Sequence, residues 1–509
     1  MAECVYTPEF EGVERSCPRP ATDGRKRCPF HLEPAERDAA GVGPGVLRAA
    51  FVADLEADDP RRREYVGVAV RDLDLCELVV DGGDARRIAF RDLSVEGTLD
   101  LSGSVWRHPL DLEDARIGQL DAADAAFELD VTVRDSTIGS QDGPATALRL
   151  GRSTLERSLR VTAVKFTGGL AFPGCRIPGW LTFDDVDVAG RTHFSEASLG
   201  TAQFLQTRFG DTIEFSRATC DRLTFDGVGL ATDARLDLSE GTYNRLRVFP
   251  GGALTCLLNE ATVDGGQLGQ PIGADARYDL TDATVGAIDL DCSVDTLDRY
   301  RLYRTRFEGF EFAAYRPVFR ANRWKLHSYV GDPVEPNSIE GLEHTYLEAC
   351  RGASTMGDAE TASKFFVREL RFRRRRYATH ARSADFGVVH RLEAAARWVT
   401  NGFLDFIAVY GERPHRPLLL ALLVILTSAL IYPATGGLAA GTGPVTYASD
   451  GVAALVDGLY FSMVTFATLG LGDVHPVGSV GRYVAATEGL TGAFLTAVFV
   501  FSLGRRVAR

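Results

Sequence analysis

Thr468-Leu469-Gly470-Leu471-Gly472-Asp473 lies between two apolar segments, about 417–433 and 483–504, and directly follows residues 451–467, GVAALVDGLYFSMVTFA. The order is hydrophobic helix, short apolar helix, Thr-x-Gly-x-Gly-Asp, hydrophobic helix. In lipid a spanning segment must satisfy its own backbone, so non-helical backbone persists at membrane depth only where it lines protein or water. Gly470 and Gly472 lack a Cβ, can take positive φ and can turn successive carbonyls the same way. A ring of such carbonyls can replace the hydration shell of a cation. The first apolar segment is a little short for a hydrocarbon core of about 30 Å, and its flanks extend it; the second is long enough alone. Arg413 and Arg416 precede the first span, and Arg505, Arg506 and Arg509 follow the second. The positive-inside rule then predicts a multi-pass protein of the cell membrane with both ends cytoplasmic and the loop between the spans open to the outside.

The hexapeptide and its neighbours, TFATLGLGD before and EGLTGAFLTAVFVFSLGRR after, resemble the pore domain of the two-helix potassium-channel superfamily, whose filter reads TVGYG followed by Asp. Both flanks look like the prokaryotic ion-channel pore domains that are fused to pentapeptide-repeat domains. The resemblance covers about residues 417–509 and implies a homotetramer around a fourfold axis. In it Thr468 offers hydroxyl and carbonyl oxygens at the inner end of the filter. Leu469, Gly470, Leu471 and Gly472 contribute carbonyls, and Asp473 holds negative charge at the outer mouth. The implied permeant ligand is the potassium ion. Leu471 stands where the family places Tyr or Phe, and Leu469 where it places Val, so a selective and a non-selective cation pathway both remain open. Glu488 is an acid inside the second span, and such groups mark function; it either braces the short helix or responds to protonation. Gly489 and Gly492 are candidate hinges or sites of close helix packing. No Arg-rich voltage-sensing helix is present in the sequence.

Upstream, short words ending in an apolar residue recur every ten or eleven residues: TLDL at Leu101, ALRL at Leu150, LTF at Phe183, AQF at Phe204, LTF at Phe225, IDL at Leu290. Intermediate apolar positions halve the step, as in Phe194, Leu199, Phe204 and Phe209. A five-residue step fits neither the 3.6 of a helix nor the 2 of a free strand. It fits a coil in which each side sends one apolar residue inward. EASLG at 196–200 and RATCD at 217–221 resemble the pentapeptide-repeat family, which implies a right-handed quadrilateral β-helix over residues 72–292. Stacked coils share one core and depend on their neighbours. Residues 139–147 are expected to bulge from a corner. Outward Arg is as plentiful as Asp, which argues against imitation of duplex DNA. A solvated face and a face that docks an unknown protein partner both fit.

At the N-terminus Cys4, Cys17, Cys28 and His31 form C-x12-C-x10-C-x2-H. Four soft ligands suit a closed, structural zinc site within residues 1–40; the alternative is a disordered leader with incidental cysteines. Residues 41–71 read as a linker. Residues 293–389 read as a helical connector, beginning with Tyr300, Tyr303, Phe307, Phe310 and Phe312 and weakly resembling a tetratricopeptide-type hairpin. Within it the basic run 371–376 either meets anionic lipid headgroups or is a solvated helix end. Residues 390–411 read as an amphipathic pre-membrane helix, lying on the bilayer or packed under the channel, with Leu392, Ala396, Val399, Phe403, Phe406 and Ile407 on one face.

The whole is a multidomain chain: β-helix, α-helical connector, and a two-span membrane domain over 412–509 with its short helix at 451–467 and filter at 468–473. A net charge of −13 over 509 residues argues against nucleic acid as a partner. Lysine is nearly absent, which suits a high-salt-adapted (halophile) or GC-rich source. The nine scattered cysteines suggest a reduced interior. No nucleophile–base set or phosphate loop suggests an enzyme. The expected function is a passive, tetrameric cation channel, most simply for potassium, with a cytoplasmic regulatory or anchoring domain. The alternatives are a non-selective cation channel and a membrane-tethered scaffold.

Overall fold

An inward residue every five positions forces the backbone to turn at each side of a coil, and the computed structural model of the chain shows those turns as short parallel strands. It describes residues 3–507 except 8, 11, 12, 15, 82–85, 141–144, 332, 334, 335 and 442. Two compact units result, one from residues 1–337 with 351–358, the other from 338–350 with 359–509.

In the first unit parallel ladders run from Glu64–Val66 to Arg306–Phe307 and form a β-solenoid of about 11 turns. The register places like on like. Phe183 pairs with Phe204 and Phe204 with Phe225, and their rings stack at 5.3 and 5.0 Å between centroids. A second column, Phe172–Phe194–Phe215, stacks at 4.4 and 4.6 Å. The columns meet edge to face, Phe194 on Phe204 and Phe215 on Phe225, both at 5.9 Å. All of these rings are buried. One corner of the coil takes left-handed backbone in turn after turn, at Asp124, Arg152, Glu196, Arg217, Asp282 and Arg304 among others. Oppositely charged residues follow each other along it: Arg152 bonds Asp124 at 2.7 Å, Arg304 bonds Asp282 at 2.5 Å, and Arg217 lies between Glu196 and Glu240 at 3.7 and 3.8 Å. Exposed pairs of this kind stabilise little. They set opposite charges next to each other along this corner.

The ladder is longer than 72–292 at both ends. Tyr300 and Phe307 are strand residues of the last coils and not the start of a helix; Tyr300 stacks on Tyr278 at 5.2 Å. Aromatic crowding there reflects the closing of the column. The expected linker 41–71 is instead split: its end, from Glu64, enters the first coil, and its start, with helices α1 (Pro34–Ala39) and α2 (Pro44–Leu55), forms a cap before that coil. Phe51 of α2 stacks on Tyr65 and Phe90 at 5.4 and 6.2 Å, sealing the open end of the column. Helix α3 (Arg316–Ala321) follows the last coil. The centre of the expected bulge, 141–144, lies outside the described residues.

Among the described residues seven further helices follow: α4 (Ile339–Thr355), α5 (Ala359–Arg382), α6 (Val388–Ala408), α7 (His415–Ala434), α8 (Tyr447–Asp450), α9 (Val452–Phe466) and α10 (Gly478–Val507). In the second unit Tyr346 of α4 stacks on Phe372 of α5 at 5.4 Å. Four arginines of the basic run meet acids of neighbouring helices, while Arg371 and Arg375 stay exposed to solvent. Arg371 and Arg374 both pair with Asp405 of α6 at 3.1 Å, while Arg373 and Arg376 pair with Glu343 of α4 at 3.0 and 2.7 Å. Two acids distant in sequence each take two of these arginines. Helices α7 and α10 are long and apolar enough to cross a membrane. Helix α10 begins at Gly478, before the apolar run at 483, because residues 478–482 continue the helix beyond its apolar part. A small antiparallel sheet of Leu438–Ala440, Gly443–Val445 and Val474–Pro476 ties the end of α7 to the chain entering α10.

Phe204 touches rings above, below and beside it. Replacing it by Ala is expected to cost about 3–5 kcal/mol, read as a lower denaturant midpoint for the β-sheet circular-dichroism signal of the full chain. A loss under about 1 kcal/mol, typical of surface sites, would mean that the column does not carry the solenoid.

Candidate ion pathway and metal centre

Helix α9 ends at Phe466, and the chain then leaves helical geometry. The Thr468 amide donates to Thr465 O and the Leu469 amide to Val464 O, both at 3.0 Å. From there the backbone alternates. Thr468, Gly470 and Gly472 have φ of 56°, 59° and 83°, whereas Leu469 and Leu471 are not in the left-handed region. Alternation of hand is what turns consecutive carbonyls to one side of the strand. Nothing lies within 4 Å of a Cβ built on Gly470 or Gly472, and all six residues are exposed in the single chain. Asp473 accepts a hydrogen bond from the Tyr460 hydroxyl of α9 at 2.7 Å, so the end of this segment is tied back to the short helix.

Glu488 of α10 is buried and joins three helices. Its carboxylate accepts from the Tyr432 hydroxyl of α7 at 2.6 Å and from the Ser462 hydroxyl of α9. Tyr432 also packs edge to face on Phe461 of α9 at 5.0 Å. Glycine permits the same three helices to touch. A Cβ on Gly492 would meet Phe466 O at 2.4 Å, and one on Gly458 would meet Ala429 O at 2.5 Å. Gly492 therefore sits at a close crossing of α10 under the end of α9. Gly489 is looser, 3.7 Å from Thr465 O. Gly458 was not singled out by sequence; a glycine within an apolar helix was the available signal.

The sequence comparisons agree with this geometry. Residues 419–509 match the family described as "Ion channel". The chain is 32% identical over 121 residues to Protein LctB of Geobacillus stearothermophilus, spanning 23% of this chain and 77% of that protein. The chain belongs to the ion-channel family. It is also 42% identical over 57 residues to Protein LctB of Bacillus caldotenax, spanning 11% of this chain and 42% of that relative. No solved structure matches the chain. The ion-channel domain accordingly occupies the C-terminal end, and the solenoid stands outside the family match.

At the other end of the ion-channel domain, α6 turns into α7 through three successive left-handed residues, Val409, Tyr410 and Gly411, with φ of 49°, 58° and 88°. A β-branched residue seldom adopts this conformation. Packing holds it: Ile407 and Ala408 are buried with Leu495 of α10, and the Tyr410 hydroxyl donates to Asn401 Oδ1 at 2.6 Å. Ile407 thus faces the protein and leaves the expected apolar stripe. Leu392, Val399, Phe403 and Phe406 remain exposed. Arg505 near the end of α10 donates to Tyr410 O at 3.0 Å, lies 3.7 Å from Glu412 and sits over the Phe366 ring of α5 at 4.5 Å. Arg509 lies outside the described residues.

The four N-terminal candidates come together. Cys4, Cys17, Cys28 and His31 are all buried, with their ligand atoms within 4.8 Å of one another. Hydrogen bonds from Cys17 and Cys28 hold the Cys4 thiol well below the ordinary thiol range. The solenoid cysteines differ, since burial pushes the Cys175 and Cys220 thiols up to about 12. They are buried core residues, and no disulfide forms among the described residues.

Glu488→Ala leaves two hydroxyls without their acceptor. The expected loss is on the order of 2–3 kcal/mol, read as a lower melting temperature of the detergent-solubilised chain, whereas Glu488→Gln keeps acceptor capacity and most of the stability. Equal melting of Glu488→Ala and the native chain would remove the bracing role.

Proposed function

We propose that four copies of the chain surround a passive cation pathway, with potassium as the permeant ion and the filter formed by Thr468 to Asp473. The observation that carries this reading is the alternating backbone of Thr468, Gly470 and Gly472 at the end of an apolar helix between two spans. Carbonyls so directed need partners from other chains to enclose an ion, and the open surface around both glycines leaves room for them. Thr468 adds a hydroxyl at the inner end and Asp473 a charge at the mouth. The C-terminus of α9 aims its partial negative charge toward the cavity. Glu488 holds the short helix between the spans, and Gly492 sets its depth. The N-terminal unit and both chain ends lie in the cytoplasm, consistent with Arg413, Arg416 and Arg505 flanking the spans. The exposed apolar residues of α6 rest on the bilayer surface. The solenoid anchors or regulates the pore, or docks a protein partner.

A non-selective cation pore is the second reading, favoured by Leu469 and Leu471. Their side chains offer no hydrogen bond with which to brace the filter, and both are exposed. The Tyr460–Asp473 bond is the brace that remains.

Reconstituted full chain in a planar bilayer, with K⁺ on one side and Na⁺ on the other, is expected to reverse near the K⁺ equilibrium potential. Reversal near zero with robust current would instead establish the non-selective pore. Gly470→Ala forces a Cβ into left-handed backbone, a cost of about 1–2 kcal/mol per residue. It should abolish current while the tetramer still assembles. Unchanged current in that variant would show that ions do not pass this backbone.

A further inference from the structure

We infer that Cys4, Cys17, Cys28 and Nδ1 of His31 bind one Zn²⁺ ion, and that this ion locks the cap that closes the N-terminal end of the solenoid.

The geometry is that of a ligand shell. Tetrahedral Zn²⁺ with Zn–S near 2.3 Å and Zn–N near 2.0–2.1 Å places sulfurs about 3.8 Å apart and sulfur and nitrogen about 3.5 Å apart. Cys17 Sγ and Cys28 Sγ stand 3.8 Å apart, and His31 Nδ1 stands 3.3 Å from Cys28 Sγ and 3.7 Å from Cys4 Sγ. A disulfide would need sulfurs at about 2.05 Å. The imidazole tautomer is settled by its other nitrogen. Nε2 lies 2.9 Å from Val66 O, which can only accept, so Nε2 carries the proton and the Nδ1 lone pair faces the sulfurs. The Cys28 amide donates to Cys4 Sγ at 3.2 Å, and Arg19 Nη1 lies 4.0 Å from Cys17 Sγ. Both contacts favour thiolate. Three thiolates on a divalent ion leave one negative charge, which the buried Arg19 is placed to offset. Soft donors exclude Ca²⁺ and Mg²⁺, and four protein ligands leave no open position for catalysis.

The same contacts tie the ion to the solenoid. Val66 belongs to the first strand of the ladder. Arg19 bonds Asp54 of α2 at 2.6 Å and Glu64 O at 3.1 Å, and its guanidinium lies 4.1 Å from the Tyr65 ring centroid. The segment carrying the ligands is too short to bury its own core, and in such cases metal binding supplies the folding energy. With the ion in place, Arg19 holds α2 and His31 holds the first strand, so that Phe51 covers Phe90. Without it, the first coil is an open edge.

The test needs no ion flux, so its failure would leave the channel reading untouched. Full chain purified in detergent should carry about one zinc per chain by elemental analysis. Cys28→Ser and His31→Ala should lose it, whereas His31→Cys, which preserves four soft ligands, should keep it. Stripping zinc with a chelator should speed protease cleavage before residue 64 on the order of tenfold, since cleavage follows the open population, and added Zn²⁺ should reverse the effect. A native chain without zinc, one loaded with iron in its place, or undiminished zinc in both loss variants would overturn the site. Unchanged cleavage after stripping would overturn the capping role.

Discussion

Each coil of the solenoid can bury its inward ring only against the ring of the next coil, and everything in the first unit follows from that dependence. Register must be kept, because a slip of one residue would turn Phe204 outward and break the contact with Phe183 and Phe225. The corners must repeat, which is why the left-handed position returns in successive turns even where Arg or Glu occupies it. The ends cannot use this solution, since an end coil has one neighbour. Phe51 and Tyr65 supply the missing layer at the start. Tyr278 and Tyr300 carry the column into its final turns.

The ion-channel domain meets the opposite constraint. Lipid offers apolar surface everywhere, so burial of apolar side chains does not by itself hold helices together. Close approach and polar contacts do. Gly458 and Gly492 let backbones come near enough for a Cβ to be excluded. Glu488 then fixes the rotation of three helices about their axes, because a carboxylate in hydrocarbon must reach its donors. The backbone of residues 468–473 hangs from this arrangement at one end and from the Tyr460–Asp473 bond at the other.

Periodicity carried most of the fold. The five-residue step exposed the coils because the inward residue is large and apolar in nearly every turn. It faded at residues 64–71 and 293–307, where tyrosines and valines of the end coils mimic other patterns. The segment 468–473 and Glu488 stood out because Gly-x-Gly and an acid inside an apolar run are locally conspicuous. The cysteine cluster was half legible, since C-x2-H is local while Cys4 and Cys17 arrive by the path of the chain. The partners of the basic run were not legible at all. Glu343 and Asp405 are about thirty residues away and find Arg371, Arg373, Arg374 and Arg376 only after α4, α5 and α6 have packed.

Those ion pairs change how the second unit holds together. A helix whose arginines served lipid would be free to slide under the bilayer, but α5 is fixed to α4 on one side and to α6 on the other. Helix α6 in turn passes through the strained turn at Val409–Gly411 into the first span. Arg505 binds the carbonyl of that turn while its guanidinium covers Phe366 of α5. Ser363 of α5 bonds Glu412, which also faces Arg505. The end of α10 is therefore held by three groups that belong to α5 and to the turn. It cannot separate from the first span without breaking the Arg505 contacts or carrying α5 with it, so the C-terminal end of α10 is coupled to α5 and to the turn that opens α7.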